Sequence, residues 1–249
     1  MLASLMNILG LETSGLTGSI ALDRDGAVEQ RELATAGRRH AQTLVAEMRE
    51  LLHAHGLRPA DVNALAVSIG PGSFTGLRVG VVCAKTFAYA TGCRVIAVDT
   101  LAAVAQQAPP EFTRLWIISD AQRGDFFTAH YTRTDELWQR DDDVRVVHGP
   151  TWLPMLTADD IIAGPATSRI VPDSTLAHII RDDWATRPTA AGIIAIARPR
   201  LMAGQQDDLW TLTPLYIRPS AAEEKLSPTR SVSEGARLVP SPGASLGEG

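Results

Sequence analysis

The sequence predicts an α/β fold built from two related domains, each a β-sheet with helices. Three observations support this class. Short apolar strands and then helical stretches fill residues 7–107, a glycine-rich loop joins a buried strand to a long helix, and the same order restarts after Pro109-Pro110. The predicted division is therefore an N-terminal domain over residues 1–107, a smaller C-terminal domain over 108–218 and a tail over 219–249.

The first half reads as a β-meander followed by helices and buried strands. One helix is predicted from about Arg38 to Gly56, because its apolar residues recur at steps of three and four. A second follows the glycine loop and ends near Gly92, and a short third begins at Thr100 with Asp99 as its cap. The predicted strands, which include two meander strands before an Asp25-Gly26 turn, cover residues 7–12, 18–23, 62–69 and 94–98.

The second half repeats the order with weaker patterns. Strands are predicted at residues 114–119 and 126–131 and near Ile161. Helical stretches are predicted at 176–180 and 190–202, the latter kinked or shortened by Pro199. The segment 219–249 is rich in Ser, Pro, Gly and Glu and has few large apolar residues, which predicts a disordered tail.

Composition limits the environment and the partners of the chain. The 249 residues carry a formal net charge of −5, which disfavours nucleic-acid binding by this chain alone. Its two cysteines, Cys83 and Cys93, fit neither a CxxC redox pair nor a zinc knuckle, so reduced thiols are expected. The N-terminal residues lack a basic stretch and a long apolar run. A cytoplasmic protein with no membrane anchor is the expectation.

The loop Gly70–Gly76 is the first candidate for chemistry, because a strand, a glycine loop and a helix N-terminus can hold a phosphate. It matches neither the Walker motif nor the dinucleotide fingerprint, since Thr75 stands where each needs glycine. The favoured interpretation is a tight turn that sets two helices side by side. The helix after it carries a row of small residues, Gly76, Gly80, Ala84 and Ala88, which allows another backbone to approach closely.

Other polar residues are weaker candidates. Glu12, Thr13 and Ser14 end the first strand, where they could meet a metal-bound nucleotide or form an ordinary polar hairpin. Asp141-Asp142-Asp143 is interpreted as a solvated loop rather than a cation site. The six histidines show no metal-binding spacing.

Five segments together resemble one known family, TsaB, also called YeaZ. They are ILGLETS, RRHAQTLVAEM, IGPGSFTGLRVG, SDAQRGDFFTAHY and PLYIRPSAAEEK, in order over most of residues 7–225. The resemblance implies the actin-like ATPase fold, ribonuclease H-like in each domain, which sugar kinases share. It also implies a partnership with TsaD, the related enzyme that transfers a threonylcarbamoyl group to N6 of adenosine 37 in tRNAs reading ANN codons, and with TsaE.

The resemblance further implies a scaffold without catalytic residues. TsaD carries a His-x-x-x-His metal pair at positions that are Thr100 and Val104 here, and neither side chain replaces an imidazole as a ligand. No metal and no cofactor of its own are therefore expected; ATP and a metal ion are expected on the partner subunits. The tRNA would be reached indirectly, through the complex.

Partner binding is expected on the first two long helices, where the family pairs with the matching helices of TsaD. The alternative is that both helices only cover their own core, and an isolated chain could also form a homodimer. The predicted interface residues are His40, Leu44, Met48, Leu77, Arg78, Val81, Lys85 and Tyr89.

Two enzyme hypotheses remain beside the scaffold. One is an actin-fold ATPase or phosphotransferase that uses Glu12, Thr13 and the glycine loop around Mg-ATP, with Asp120 nominated by position alone. The other is a peptidase, which is disfavoured because the sequence has no HExxH, no nucleophile elbow and no cysteine signature.

Overall fold

A computed structural model describes residues 6–33, 40–134, 137–170, 179–181, 184 and 187–218, arranged as two mixed β-sheets with helices. The predicted α/β class is confirmed. The strands are β1 (Asn7–Glu12), β2 (Ser19–Arg24), β3 (Ala27–Glu32), β4 (Ala64–Gly70), β5 (Arg94–Asp99), β6 (Arg114–Gln122), β7 (Asp125–Thr134), β8 (Leu137–Arg140), β9 (Arg145–His148), β10 (Ile162–Ala163) and β11 (Ile180–Arg181). The helices are α1 (His40–Ala54), α2 (Phe74–Thr91), α3 (Thr100–Ala105), α4 (Gly149–Trp152) and α5 (Ala190–Met202).

The first sheet has the strand order β3-β2-β1-β4-β5. The meander β1–β3 is antiparallel, whereas β4 and β5 run parallel to β1 because helices provide their crossovers. Every residue of β1 and β4 is buried, while every residue of β3 at the edge is at least partly exposed. The central strands are covered on both faces, which explains their continuous apolar sequences.

Helices α1 and α2 cover one face of this sheet. Leu44, Met48 and Leu51 of α1 belong to the same buried cluster as Leu9 and Val67 of the strands. The predicted helix ends are confirmed, since Gly56 follows α1 and Gly92 ends α2, both with positive φ.

The small-residue side of α2 packs against the chain's own first strand. A Cβ added at Gly76 would lie 2.0 Å from the carbonyl oxygen of Thr13, and one at Gly80 would lie 2.3 Å from Thr13 Oγ1. Ala84 and Ala88 on the same side are also buried. The predicted close approach of a backbone is therefore confirmed, and the backbone belongs to the same chain.

The opposite face of the first sheet is covered by α5. Ile193 and Ile194 of α5 pack with Ile8 of β1 and Ile96 of β5. The predicted boundary at residue 107 stays a prediction, but the sequence did not anticipate that a helix from the second half of the chain completes the first sheet. Pro199 does not end this helix, which continues to Met202.

The second sheet has the order β11-β10-β6-β7-β8, with β9 also paired to β7. Its centre is the antiparallel hairpin β6–β7, and β10 and β11 add parallel strands on the far side of β6. The helix predicted at residues 176–180 is wrong at its described end, because Ile180 belongs to β11; residues 171–178 lie outside the described residues, as does the predicted tail 219–249. Strands β8 and β9 were not predicted.

Asp99 joins the two sheets at the end of β5. Its carboxylate caps α3 by accepting from Leu101 N at 2.8 Å, and it also accepts from Tyr131 Oη at 3.1 Å and Arg140 Nη1 at 2.7 Å. Tyr131 and Arg140 lie on β7 and β8, so one carboxylate bonds elements of both sheets. The predicted cap is confirmed, and its charge is matched by the arginine.

Two further expectations concern the thiols and the membrane. Cys83 and Cys93 are free and partly buried, and burial raises the pKa of the Cys83 thiol to about 11. Within the described ranges, no helix is both long and apolar enough to span a lipid bilayer.

Candidate functional site

A cleft of about 870 Å³ lies between the two sheets. Its walls come from seven separate stretches of chain: the loop after β1, the glycine loop with the start of α2, α3, the β6–β7 hairpin, and residues 165–169, 187–188 and 215–218. A cavity of this size suits a small organic molecule. The polar and charged side chains that line it include Ser14, Ser73, Ser119, Asp120, Gln122, Arg123, Arg169, Arg187 and Arg218.

Of the three residues predicted at the end of β1, Ser14 alone lines the cleft. Thr13 is turned toward α2, where its Oγ1 donates to the carbonyl oxygen of Gly76 at 2.8 Å. Glu12 is fully buried, and its Oε1 accepts from Ser14 Oγ at 2.6 Å and from Ser14 N. Glu12 is therefore sealed beneath the loop instead of being presented to a ligand.

Burial raises the pKa of the Glu12 carboxyl, although hydrogen bonds from Ser14 and Ser68 work in the other direction. Its Oε2 has no hydrogen-bonding partner among the described residues. A carboxyl whose ionised form is disfavoured in the fold costs stability wherever the unfolded chain ionises it freely. Glu12 is thus a structural group with an electrostatic cost rather than a metal ligand.

We expect the pH dependence of unfolding to reveal this cost. As pH falls through the raised folded pKa toward the unfolded value near 4.5, the wild-type chain should gain stability relative to Glu12→Gln, because the folded state takes up the proton first. The measurement is urea unfolding of both proteins across pH 4.5–8. A difference in unfolding free energy that stays constant, or that falls at lower pH, would contradict the assignment.

Thr100 and Val104, where the sequence resemblance implies that TsaD carries histidines, also line the cleft. Thr100 Oγ1 accepts from Gly70 N at 3.1 Å, which ties α3 to the glycine loop, and Val104 is a fully buried member of an apolar cluster. The part of the chain that the structure describes contains no group of three or more His, Cys, Asp or Glu side chains able to hold a metal ion.

The remaining acidic candidates are engaged with neighbours. Asp120 accepts from Arg169 Nη1 at 2.7 Å and from Gln122 N at 2.9 Å, at the rim of the cleft. The aspartates of the 141–143 loop contact His130, Arg145 and Arg140 respectively, which agrees with a solvated, ion-paired loop. These aspartates therefore do not provide a pair of carboxylates that faces the cleft.

The predicted interface residues fall on two different sides of their helices. Arg78, Lys85 and Tyr89 lie along the outer side of α2 together with Val82, and Arg78, Val82 and Tyr89 are exposed. We call these four residues the outer stripe; their spacing of 4, 3 and 4 keeps them on one side of a helix. The prediction that Leu44, Met48, Leu77 and Val81 bind a partner needs correction. These four side chains are buried in the chain's own core because they face the first sheet. The side chain of His40, the last predicted interface residue, lies outside the described residues.

The C-terminal segment, Gln205–Tyr216, runs beside the outer stripe, which sequence reasoning missed. Lys85 Nζ donates to the carbonyl oxygens of Trp210 and Leu212 at 3.0 and 3.1 Å. Tyr89 meets the Trp210 ring edge-on at 5.8 Å between centroids, and Trp210 is 72% exposed. In the sequence, the only feature that could have indicated this surface is Trp210, a single tryptophan in a polar stretch. The result is a continuous exposed surface with large aromatic groups, a composition typical of protein interfaces.

Comparisons with known proteins agree with the fold and with one another. The model of the family "TsaD: tRNA N6-adenosine threonylcarbamoyltransferase" matches residues 34–145. A solved Pseudomonas aeruginosa protein described as similar to peptidase YeaZ has a TM-score of 0.74 at 25% identity, covering 86% of this chain and all of that one. YeaZ from the same organism has a TM-score of 0.71 at 26% identity, covering 85% and 99%. The actin-like architecture is thereby confirmed.

Two curated relatives carry the same description, "tRNA threonylcarbamoyladenosine biosynthesis protein TsaB". The Escherichia coli protein is 29% identical over 232 residues, which covers 89% of this chain and 98% of the relative. The Bacillus subtilis protein is 31% identical over 155 residues, 62% of this chain and 68% of the relative. The chain therefore belongs to the TsaB (YeaZ) family.

Proposed function

We propose that this chain is the non-catalytic scaffold subunit of a tRNA-modifying complex, acting with TsaD and TsaE in N6-threonylcarbamoylation of adenosine 37 in tRNAs that read ANN codons. Its relatives are named for tRNA threonylcarbamoyladenosine biosynthesis. TsaD is its partner, ATP and a metal ion act on the other subunits, and the tRNA is contacted through the complex. The cytoplasm is the compartment in which this modification takes place.

The exposed surface beside α2 is the observation that carries the proposal. Val82, Tyr89 and Trp210 are 62%, 71% and 72% exposed, whereas most large apolar side chains among the described residues are buried. Surfaces of this kind mark contact sites in soluble proteins. The outer side of α1 adds Val45, which is 67% exposed, so both predicted helices offer apolar groups outward. TsaD docks on this surface.

The chemistry of the residues at positions 100 and 104 supports a non-catalytic role. Thr100 uses its hydroxyl within the fold, and Val104 has no atom that could bind a metal. The competing hypothesis of a Mg-ATP-dependent phosphotransferase requires carboxylates that face the cleft. Glu12 is sealed away from the cleft and Asp120 is ion-paired, which weighs against that hypothesis.

Reconstitution tests the proposal. TsaD and TsaE from the same source are incubated with tRNA and the activated threonylcarbamoyl adenylate, with and without this chain, and the modified adenosine is measured by mass spectrometry. We expect modification only when the chain is present and none from the chain alone. Equal modification without the chain would contradict the scaffold role, and ATP turnover by the lone chain would favour the phosphotransferase.

A further inference from the structure

Arg78, an exposed residue of the outer stripe, is held in place by two aromatic rings. Its Cζ lies 4.0 Å from the centroid of the Phe74 ring and 5.7 Å from that of the Tyr216 ring. Its Nε donates a hydrogen bond to Tyr216 Oη at 2.8 Å. A guanidinium held against aromatic rings gains a cation–π attraction and gives up much of the freedom of an exposed arginine. The position of this positive charge is therefore set before a partner arrives.

The backbone fixes the two rings themselves. Phe74 is the first residue of α2, directly after the N-cap Ser73. Tyr216 follows Leu215, whose N donates to the carbonyl oxygen of Ile69 at 2.7 Å, so the end of β4 places this tyrosine beside α2. The two rings lie 5.0 Å apart between centroids. Arg78 is thus oriented by groups that are themselves tied to the first sheet and its helix.

The charge of Arg78 has no carboxylate partner among the described residues. Its hydrogen bond to Tyr216 uses Nε, and neither Nη group bonds to a described residue. Lys85, two turns further along the stripe, donates to backbone carbonyl oxygens and not to a carboxylate. Asp208, an exposed acid next to the stripe, accepts from Trp210 N at 2.6 Å and forms no ion pair with either cation within the described ranges. The guanidinium edge formed by the two Nη groups is left for a group from outside.

The surroundings of Arg78 favour a protein carboxylate over a nucleic-acid phosphate. Val82, Tyr89 and Trp210, which lie along the same side of α2, are exposed apolar or aromatic groups. Proteins hold a phosphate backbone with clusters of Lys and Arg, whereas protein interfaces combine aromatic anchors with single arginines. The net charge of −5 also disfavours a polyanion. One fixed cation beside an aromatic surface suits an acidic side chain of a partner protein.

We propose that Arg78 receives a carboxylate of TsaD and is a specificity-determining contact of the docking surface. The aspartate or glutamate of TsaD accepts two hydrogen bonds from the edge formed by the Nη groups, a bidentate geometry that lysine cannot reproduce. Phe74 and Tyr216 are positioning residues, because they act by orienting the guanidinium. This inference rests on the proposed docking of TsaD and adds the chemistry that the surface requires of its partner.

Calorimetric titration of purified TsaD with the full chain tests the contact. Arg78→Met keeps an unbranched side chain but removes the charge, and we expect it to weaken binding about tenfold or more, because the carboxylate of TsaD loses charged hydrogen bonds. Arg78→Lys should restore only part of that loss. Raising the salt concentration from about 0.05 M to about 0.5 M should weaken wild-type binding more than binding by Arg78→Met, because salt screens the charge pair.

Two further variants separate the contact from its surroundings. Tyr216→Phe keeps the ring and removes the acceptor of Arg78 Nε, so we expect a smaller loss of about threefold. Arg145→Met is the matched control, because Arg145 also lies over an aromatic ring, Trp116 at 5.2 Å, but its charge already faces Asp142 on the second sheet. This control should bind TsaD as the wild type does. Arg78→Lys provides the decisive comparison if Arg78→Met lowers the unfolding midpoint.

Several results would overturn the inference. One is that folded Arg78→Met binds TsaD as tightly as the Arg145→Met control; another is that Arg78→Lys restores the full affinity. A variant that keeps its affinity for TsaD but weakens binding of tRNA by the assembled complex would assign Arg78 to a phosphate instead. If the wild-type chain does not bind TsaD at all, the proposed function itself fails. Wild-type binding that the Arg78 variants leave unchanged would contradict this inference alone.

Discussion

Gly76→Ala is expected to destabilise the fold by about 3 kcal/mol or more, a large effect for a single methyl group. The added Cβ would lie 2.0 Å from the carbonyl oxygen of Thr13, a backbone atom that can move only if the end of β1 or the start of α2 shifts. In a helix without such a neighbour, alanine would instead stabilise by about 1 kcal/mol. A loss of stability would therefore indicate that close packing dominates at this position, and a gain would indicate that helix propensity dominates.

Chemical and thermal unfolding of the two proteins provide the measurement, and a loss of about 3 kcal/mol should lower the midpoint by roughly 6–12 °C in a chain of this size. Gly15→Ala is the matched control, because its nearest contact, the Thr17 carbonyl oxygen at 3.7 Å, is ordinary van der Waals distance. We expect the control to change stability by less than about 0.5 kcal/mol. A neutral or stabilising Gly76→Ala would show that α2 does not pack on β1 as described.

The first sheet and its helices were predictable because local signals and burial agree there. The apolar runs of β1 and β4, the helical period of α1 and the glycines after α1 and α2 each favour the element that forms. The second sheet was harder. Strands β8 and β9 are four residues long, β10 and β11 only two, and strands this short owe their existence to pairing partners that no sequence window contains.

The candidate site was less predictable than the fold, because sequence alone does not show which side of an element faces solvent. Helical spacing correctly placed Leu77 and Arg78 on the same helix, but it did not show which side of that helix packs on the sheet. Leu77 is buried, whereas Arg78 contacts Tyr216 through its Nε at 2.8 Å. Glu12 likewise ends a strand near the cleft and yet turns away from it.

The double variant Val82→Glu, Tyr89→Glu is expected to weaken TsaD binding about 100-fold or more without unfolding the chain. Both side chains are mostly exposed on the outer stripe, so in the free protein the new carboxylates stay in water. In a complex the same carboxylates would be desolvated against apolar groups, and the loss of one tyrosine anchor would add to that cost. Met48→Glu and Val81→Glu are unsuitable for this purpose, because both side chains are buried and their replacement would disrupt the core.

Affinity for purified TsaD would be measured by calorimetry, and the modified adenosine would be measured in the reconstituted reaction. Met155→Glu is the matched control, since Met155 is an equally exposed large apolar residue that follows α4 in the second half of the chain. It should bind TsaD as the wild type does. Trp210→Ala alone should have an intermediate effect, because it removes the ring that supports Tyr89 while leaving α2 intact. If the folded double variant binds TsaD as tightly as the Met155→Glu control, the docking surface lies elsewhere on the chain.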